Sequence, residues 1–338
     1  MMYMNEKIRS RIVELFEETK ELSIKDISDR SDFSFDDIKK ELSEMEKQQL
    51  VKKLGRRKYI PLFETRNMDN PLVPKSEIYF DWNNVVSKLK HCYENGLFPL
   101  LVGPKGVGKT AAIRKVAELV GKPMRTVNFS LRTREHHFLG RIDTDENGNL
   151  YFKEGPLIKS MKEGGMLYLD EINVADGSVL IRLDEVLDYR RQINIEGQTI
   201  KADDGWWCVG SINPIDRYHT GTGELPGQLI SRFPVRIYMD YPDSSTEYKI
   251  VKMHVPEITK HASSYMKLLF AIEQLRKTEL PYLPSVRESI ALARLLVSGV
   301  NEKTAVKMVL VDVYRQWDSE ITQAVIDLLH SRGIDVET

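Results

Sequence analysis

Cysteine is almost absent from this chain: two residues in 338, Cys92 and Cys208, neither at metal-ligand spacing. That excludes a disulfide-stapled scaffold and a zinc ribbon, and leaves two buried reduced thiols in a reducing, cytoplasmic compartment as the expectation. No apolar run approaches the length that spans a bilayer, and Met1 to Lys7 lacks the apolar core of a secretion signal, so no membrane partner is expected. A surplus of either charge is missing too. Lys and Arg number 49 against 50 Asp and Glu, a formal net charge of -1, which argues against wholesale nucleic-acid or membrane binding while leaving local patches open. There is no internal repeat and no low-complexity tract. The histidines, adjacent His136 and His137 included, show no ligand spacing, and no Ser/His/Asp or Cys/His constellation presents itself.

What is present is an ordinary globular composition, 41% hydrophobic and 29% charged, on a chain long enough for two or three domains. Residues 1–65 read as a small helical domain with a terminal hairpin. Ile8, Ile12, Leu15 and Phe16 share one helical face. Ser23 with Asp26, and Ser34 with Asp37, are capping signals for a second and a third helix, the third carrying Ile38, Leu42 and Met45 inward. Phe33, Phe35 and Tyr59 follow the same apolar face and are expected in the core. Leu50 to Ile60 reads as two short strands around Gly55. Three helices followed by a β-ribbon resemble a winged helix-turn-helix domain. A linker over 66–76 carries Asn70-Pro71 and Val73-Pro74 as breakers. Strands and helices alternate over 77–241, which favours a parallel sheet covered on both faces. Residues 242–338 read as helical, with amphipathic runs near Ser264–Arg276, Ser285–Val297, Lys303–Tyr314 and Glu320–His330.

The chemistry-bearing motifs fall in the alternating region. The short strand Leu100-Leu101-Val102 leads into Gly103-Pro104-Lys105-Gly106-Val107-Gly108-Lys109-Thr110, a G-x-x-x-x-G-K-[ST] phosphate loop, followed by Ala111 in the first turn of a helix. Glycines let successive N–H groups face phosphate oxygens, Lys109 can neutralise the β- and γ-phosphates of ATP, and the Thr110 hydroxyl can ligate Mg2+. Ala111, Ile113, Val116 and Leu119 are expected to face inward. Met166 to Leu169 is a second apolar strand ending in Asp170 and Glu171. Asp170 suits hydrated Mg2+, and Glu171 suits acceptance of a proton from an attacking water. An acidic strand end capping the next helix is the alternative for an isolated pair of this kind. A third apolar strand, Trp206 to Ile212, ends at Asn213, whose amide can orient that water or meet the γ-phosphate.

Gly103–Thr110, Leu169–Asn173, Ser211–Pro214 and Leu225–Phe233 occur in the order seen in the MoxR family of AAA+ ATPases, with Asn128-Phe129-Ser130, Leu139-Gly140-Arg141, Phe152 to Pro156 and Asp240-Tyr241-Pro242 adding to the pattern. The chain resembles the branch with rubisco-activating and nitric-oxide-reductase-activating ATPases over roughly residues 74–297. The resemblance implies that Asn213 is sensor 1, Arg232 the arginine finger that reaches a neighbouring subunit, and Arg287 sensor 2. The second finger arginine of close relatives is missing from Gln228-Leu229-Ile230-Ser231. It also implies a homo-oligomeric ring of six subunits, a protein client, and a partner with a von Willebrand factor A domain. Two hairpins, Arg141–Phe152 turning at Asn147-Gly148 and Gln192–Lys201 turning at Glu196-Gly197, fit the helix-2-insertion branch and would line or flank the pore.

DNA is the competing partner for the amino-terminal domain. Lys52, Lys53, Arg56, Arg57 and Lys58 form a cationic wing, but Asp36, Asp37, Glu41, Glu44 and Glu46 dominate the helix that would enter a groove and would repel the phosphates. Protein docking is therefore the favoured reading there. The expected fold class is α/β: a P-loop parallel-sheet core with a carboxy-terminal helical lid, preceded by the winged-helix domain. The expected activity is Mg2+-dependent ATP hydrolysis.

Overall fold

The computed structural model describes residues 7–9, 11–13, 15–16, 22–47, 51–54, 58–61, 70–75, 77–195, 197–214 and 223–337. The chain divides into two compact units, Met1–Lys75 with Ala117–Pro123, and Ser76–Val116 with Met124–Thr338.

In the first unit the helical residues 7–9, 11–13 and 15–16 bury Ile8, Ile12, Leu15 and Phe16 with Ile38, Leu42 and Met45 in one cluster. Ser23 caps the helix Ile24–Asp29 through a reciprocal box, its hydroxyl accepting from Asp26 N–H while the Asp26 carboxylate accepts from Ser23 N–H. Leu22–Ser23, Lys58–Pro61 and Val51–Leu54 make a three-stranded antiparallel sheet with Lys58–Pro61 in the middle. Tyr59 joins the core, and Phe33 packs beside it. Phe35 does not: it is 51% exposed. It opens the helix Phe35–Lys47, and one turn before Ile38 the apolar face has run past the edge of the core. Gly55, Arg56 and Arg57 of the wing, and residues 66–69 and Ser76 of the linker, lie outside the described residues.

The second unit is built on five parallel strands: β1 (Pro99–Val102), β2 (Met124–Asn128), β3 (Met166–Asp170), β4 (Trp207–Ile212) and β5 (Val235–Tyr238), in the spatial order β5-β1-β4-β3-β2. Every neighbouring pair is parallel. β3 and β4 are buried through almost their whole length, which explains why they read as unbroken apolar runs rather than as alternating ones. Strand order sets where the connecting loops lie. β1 pairs with both β4 and β5, and β4 lies between β1 and β3, so the loops leaving β1, β4 and β3 emerge side by side at one edge. That is the edge where open α/β sheets hold ligands. The loop helix, Lys109–Val120, buries Ala112, Ile113, Val116 and Ala117. Leu119 is 38% exposed rather than inward, because the buried stripe is carried by the adjacent pairs 112/113 and 116/117.

Beyond β5 the chain is helical: Ser244–His254, Ala262–Leu275, Val286–Val297 and Ser319–Ser331 enclose their own core. The first of these is not evident in the sequence as an amphipathic run, and is started by Asp243, whose carboxylate accepts from Thr246 N–H. The run expected as one helix over 303–314 is three pieces: an α-turn Glu302–Val306, a π-turn Lys307–Val311 and a 3-10 turn Asp312–Gln316. The extra residue in the π-turn re-phases the segment so that Leu310, Val311 and Tyr314 all face the core.

This helical core contains one fully buried ion pair. Arg276 donates to both carboxylate oxygens of Glu247 at 2.6 and 2.8 Å, the Ser289 hydroxyl donates to the same carboxylate, and Arg276 Nε donates to the carbonyl of Pro284. Removing one partner of such a pair strands the other charge in a low-dielectric core. Arg276→Met should therefore lower stability by about 3–5 kcal/mol, and Arg276→Met with Glu247→Leu should recover part of that loss, as read by denaturant unfolding.

Candidate functional site

Glycines make the loop after β1 possible. A Cβ on Gly103 would lie 2.3 Å from the Met239 carbonyl oxygen, where the chain leaves β5, and Gly108 sits at φ +100°, a region side chains rarely enter. The loop therefore wraps tightly round the Lys109 side chain. The Lys109 ammonium donates to the carbonyls of Gly103 (2.6 Å) and Pro104 (3.0 Å) and to Oδ1 of Asn213 (2.8 Å). The residue is only 7% exposed. Burial pulls its pKa down to about 8, and the negative charges of Asp170 and Glu171 offset part of that pull. Asn213, one residue beyond β4, uses the other end of its amide to donate to Glu171 Oε1 at 2.9 Å. Lys109, Asn213 and Glu171 are thus one continuous hydrogen-bonded line across the strand ends. The buried Asn173 amide steadies it by donating to the Asn213 carbonyl.

Glu171 holds a left-handed backbone, φ 57° and ψ 42°, which is unfavourable for a side-chain-bearing residue. Its N–H donates to the Ser211 hydroxyl at 3.2 Å, and the turn separates its carboxylate from that of Asp170. Asp170 ends β3. The hydroxyls of Tyr168 and Ser211 both donate to its Oδ1, at 2.7 and 2.6 Å, and the Thr110 hydroxyl stands 3.3 Å from that of Tyr168. Oδ2 of Asp170 accepts no hydrogen bond among the described residues. One free carboxylate oxygen near one threonine hydroxyl is an all-oxygen donor set, the kind that suits Mg2+ and leaves most positions for water and phosphate.

These groups face a cavity of about 450 Å3 lined by Lys105 to Ala111, Asp170, Glu171 and Asn213, with Tyr79 and Trp82 on one side and Val286, Arg287 and Ile290 on another. The helix Lys109–Val120 points its amino-terminal N–H groups at it, which favours a bound anion. Arg287 stands in the first turn of Val286–Val297, placed there by the Ser285 and Glu288 capping box. The helical region also grips the loop from behind: the Tyr241 hydroxyl donates to the Lys105 carbonyl at 2.8 Å, and the Arg276 guanidinium lies over the Tyr241 ring at 4.3 Å.

Of the residues singled out in the sequence, Lys105 to Ala111, Asp170, Glu171, Asn213 and Arg287 come together around the cavity, and Gly103 and Pro104 supply carbonyls to Lys109. Arg232 is not brought there. It ends the short helix Gly227–Arg232 and is paired with Asp184 at 2.8 Å and Asp188 at 3.8 Å. Both expected hairpins form, as Gly140–Thr144 with Leu150–Glu154 and Gln192–Ile195 with Gln198–Lys201; Glu196 lies outside the described residues. Ile142, Leu150, Ile195 and Ile200 line one groove between them. Both cysteines are buried and unpaired. Among the described residues no cluster of His, Cys, Asp and Glu could hold a metal by itself, and no helix is long and apolar enough to cross a membrane. Sequence reasoning missed the hydroxyl of Tyr168 and a role for Ser211. A tyrosine two residues before the aspartate, on a strand otherwise apolar, was the available signal.

Residues 99–233 match the family model of the AAA domain, dynein-related subfamily. An uncharacterized protein of Staphylococcus aureus strain USA300 is 36% identical over 193 residues, which cover 55% of this chain and 67% of that protein; its counterparts in strains NCTC 8325 and COL match equally. Among solved structures, a candidate ATPase of Cytophaga hutchinsonii matches with TM-score 0.44 and 18% identity over 74% of this chain and 81% of that one. NtrX from Brucella abortus, solved in complex with ADP, matches with TM-score 0.48 and 15% identity over 90% and 74%. Likenesses at that level say nothing of individual residues.

The depressed pKa of Lys109 has a consequence for anion binding. A bound polyphosphate favours the ammonium, so above pH about 8 binding must take up a proton. Nucleotide affinity should be level in this group's titration below pH 8 and fall by up to tenfold per unit above it, measured by fluorescent-nucleotide titration on either side of that pH. The sign for folding is the opposite. The unfolded lysine holds its proton to a higher pH than the folded one, so this group's contribution to stability rises from pH about 8 upward.

Proposed function

We propose that this chain, which belongs to the AAA+ ATPases and carries an AAA domain of the dynein-related type, binds ATP with Mg2+ in the cavity described above and hydrolyses it. One observation carries the reading: a phosphate-loop lysine, an asparagine and a strained glutamate form a single hydrogen-bonded line beside an aspartate with one free oxygen. In the proposed mechanism the triphosphate takes the place of the Gly103 and Pro104 carbonyls around the Lys109 ammonium, and backbone N–H groups of Gly106 to Thr110 cradle its oxygens. Thr110 and Asp170 would hold Mg2+, which would supply positive charge to offset that of the phosphates. Asn213 keeps Glu171 aimed at the attacking water, whose proton Glu171 accepts. Arg287 meets the phosphates from the helical side.

Arg232 completes the site in trans. Partly exposed, and paired among the described residues with Asp184 and Asp188, it supplies positive charge to the γ-phosphate of an adjacent subunit, an interaction worth about 10³–10⁵ in rate where it has been isolated. Hydrolysis then requires a homo-oligomeric ring, of six subunits by the MoxR resemblance. The product of that cycle is mechanical: closing the helical lid on the sheet moves the two hairpins, which press on a protein client or complex in a reducing cytoplasm. The resemblance favours a client complex with a von Willebrand factor A domain. The domain over residues 1–65 is read as a winged-helix docking module for protein, supported by Asp36 and Asp37 in the first turn of Phe35–Lys47. DNA-stimulated turnover that falls steeply with salt would favour the alternative, a DNA-directed motor.

Three variants test the assignment. Lys109→Ala should lose nucleotide binding, whereas Glu171→Gln should keep ATP bound with little phosphate release. Arg232→Ala should bind ATP normally and turn over about 10³-fold more slowly. Mixing the Arg232→Ala and Glu171→Gln proteins should restore phosphate release, because each contributes what the other's site lacks. Near-normal turnover in the single variants, or no recovery on mixing, sinks the respective role.

A further inference from the structure

We propose that Tyr168 is a positioning residue for the metal site: its hydroxyl relays between Thr110 and Asp170 and, with Ser211, turns the Asp170 carboxylate so that only Oδ2 is offered to Mg2+. The inference rests on the nucleotide reading above and deepens it at one point.

The physical basis begins with the strand. Side chains alternate along β3, so Tyr168 and Asp170, two apart, lie on the same face. The tyrosine is the only side chain on the strand before Asp170 that carries an oxygen or nitrogen. Its ring is fully buried, and a buried hydroxyl needs partners. It finds them in the two residues that would ligate the metal, 2.7 Å from Asp170 Oδ1 and 3.3 Å from Thr110 Oγ1, and in Ser211 Oγ at 3.1 Å. A phenol has one proton. With that proton given to Asp170, the tyrosine oxygen has lone pairs left for the Thr110 proton. A threonine that lends its own lone pair to a cation needs such an acceptor. Ser211 donates to the same Oδ1 at 2.6 Å. Two donors on one carboxylate oxygen and, among the described residues, none on the other fix the carboxylate's rotation, and Asp170 lines the cavity. Groups of this second layer set the orientation and basicity of the ligands they hold, and their loss costs about 10–100-fold in metal affinity or activity.

A buried tyrosine whose hydroxyl has merely found company would behave differently, and one substitution separates the two. Tyr168→Phe keeps the ring and removes only the oxygen. Binding of a fluorescent ADP analogue is titrated with Mg2+ and repeated in EDTA. We expect the Mg2+ concentration for half-maximal tightening to rise about tenfold, with affinity in EDTA unchanged and the melting temperature of the ligand-free protein lowered only by the loss of one hydrogen bond to a carboxylate. Mn2+ in place of Mg2+ gives a second readout, an altered electron paramagnetic resonance line for the Mn2+–ADP complex. Ser211→Ala removes the other donor to Oδ1 and should shift the Mg2+ requirement in the same direction, which keeps the question answerable if Tyr168→Phe does not fold. An unchanged Mg2+ requirement in a folded Tyr168→Phe overturns the proposal, as does an equal loss of affinity with and without the metal. A wild-type protein that does not bind the analogue with or without Mg2+ overturns the nucleotide reading itself.

Discussion

The ammonium of Lys109 is buried, and a buried charge without partners is among the costliest things a fold can contain. Here three oxygens surround it, two of them carbonyls of its own loop and one the amide of Asn213, just past a strand more than a hundred residues later in the chain. The arrangement holds the loop in its cradle shape and ties the end of β1 to the end of β4. Burial still leaves the ammonium less stabilised than in water. An anion that displaces the carbonyls relieves that deficit, so the resting state is poised for a phosphate rather than satisfied without one.

Strain and support are distributed around that charge. Glu171 occupies a left-handed conformation, kept in place by the Ser211 hydroxyl on its N–H and by Asn213 on its carboxylate. The turn divides two adjacent acidic residues between different tasks: Asp170 faces the threonine and tyrosine hydroxyls, Glu171 faces Asn213. Behind the loop, Tyr241 reaches the Lys105 carbonyl while its ring lies under Arg276, whose charge is matched by Glu247 in the helical core. Loop and helical region are therefore joined through one aromatic ring and one buried ion pair. A change in what the loop holds has a direct physical route into the helical region.

Arg232 stands apart from the other residues singled out in the sequence. Its guanidinium is paired with two carboxylates on its own subunit and lies away from the cavity that the other predicted residues share. Hydrogen bonds to Asp184 hold it at the end of a short helix. A guanidinium tied to a carboxylate has already lost much of its rotamer freedom.

The glycine spacing around Lys109, the apolar run ahead of Asp170 and Glu171, and the strand ending at Asn213 were legible in the linear chain. Backbone curvature, strand burial and helix capping are local effects carried by neighbouring residue types, so the α/β class, the loop and the capped helices could be read directly. The exposure of Phe35 and Leu119, and the three-part segment over 302–316, could not, because an apolar stripe shows which face is buried but not where the core beneath it ends. The partners of the site were equally hidden. Nothing local links Tyr168 to Thr110, Asn213 to Glu171, or Tyr241 to Lys105. Those pairings depend on the strand order β5-β1-β4-β3-β2, which the tertiary fold alone decides, because side-chain hydrogen bonds act over about 3 Å and only packing brings distant segments that close.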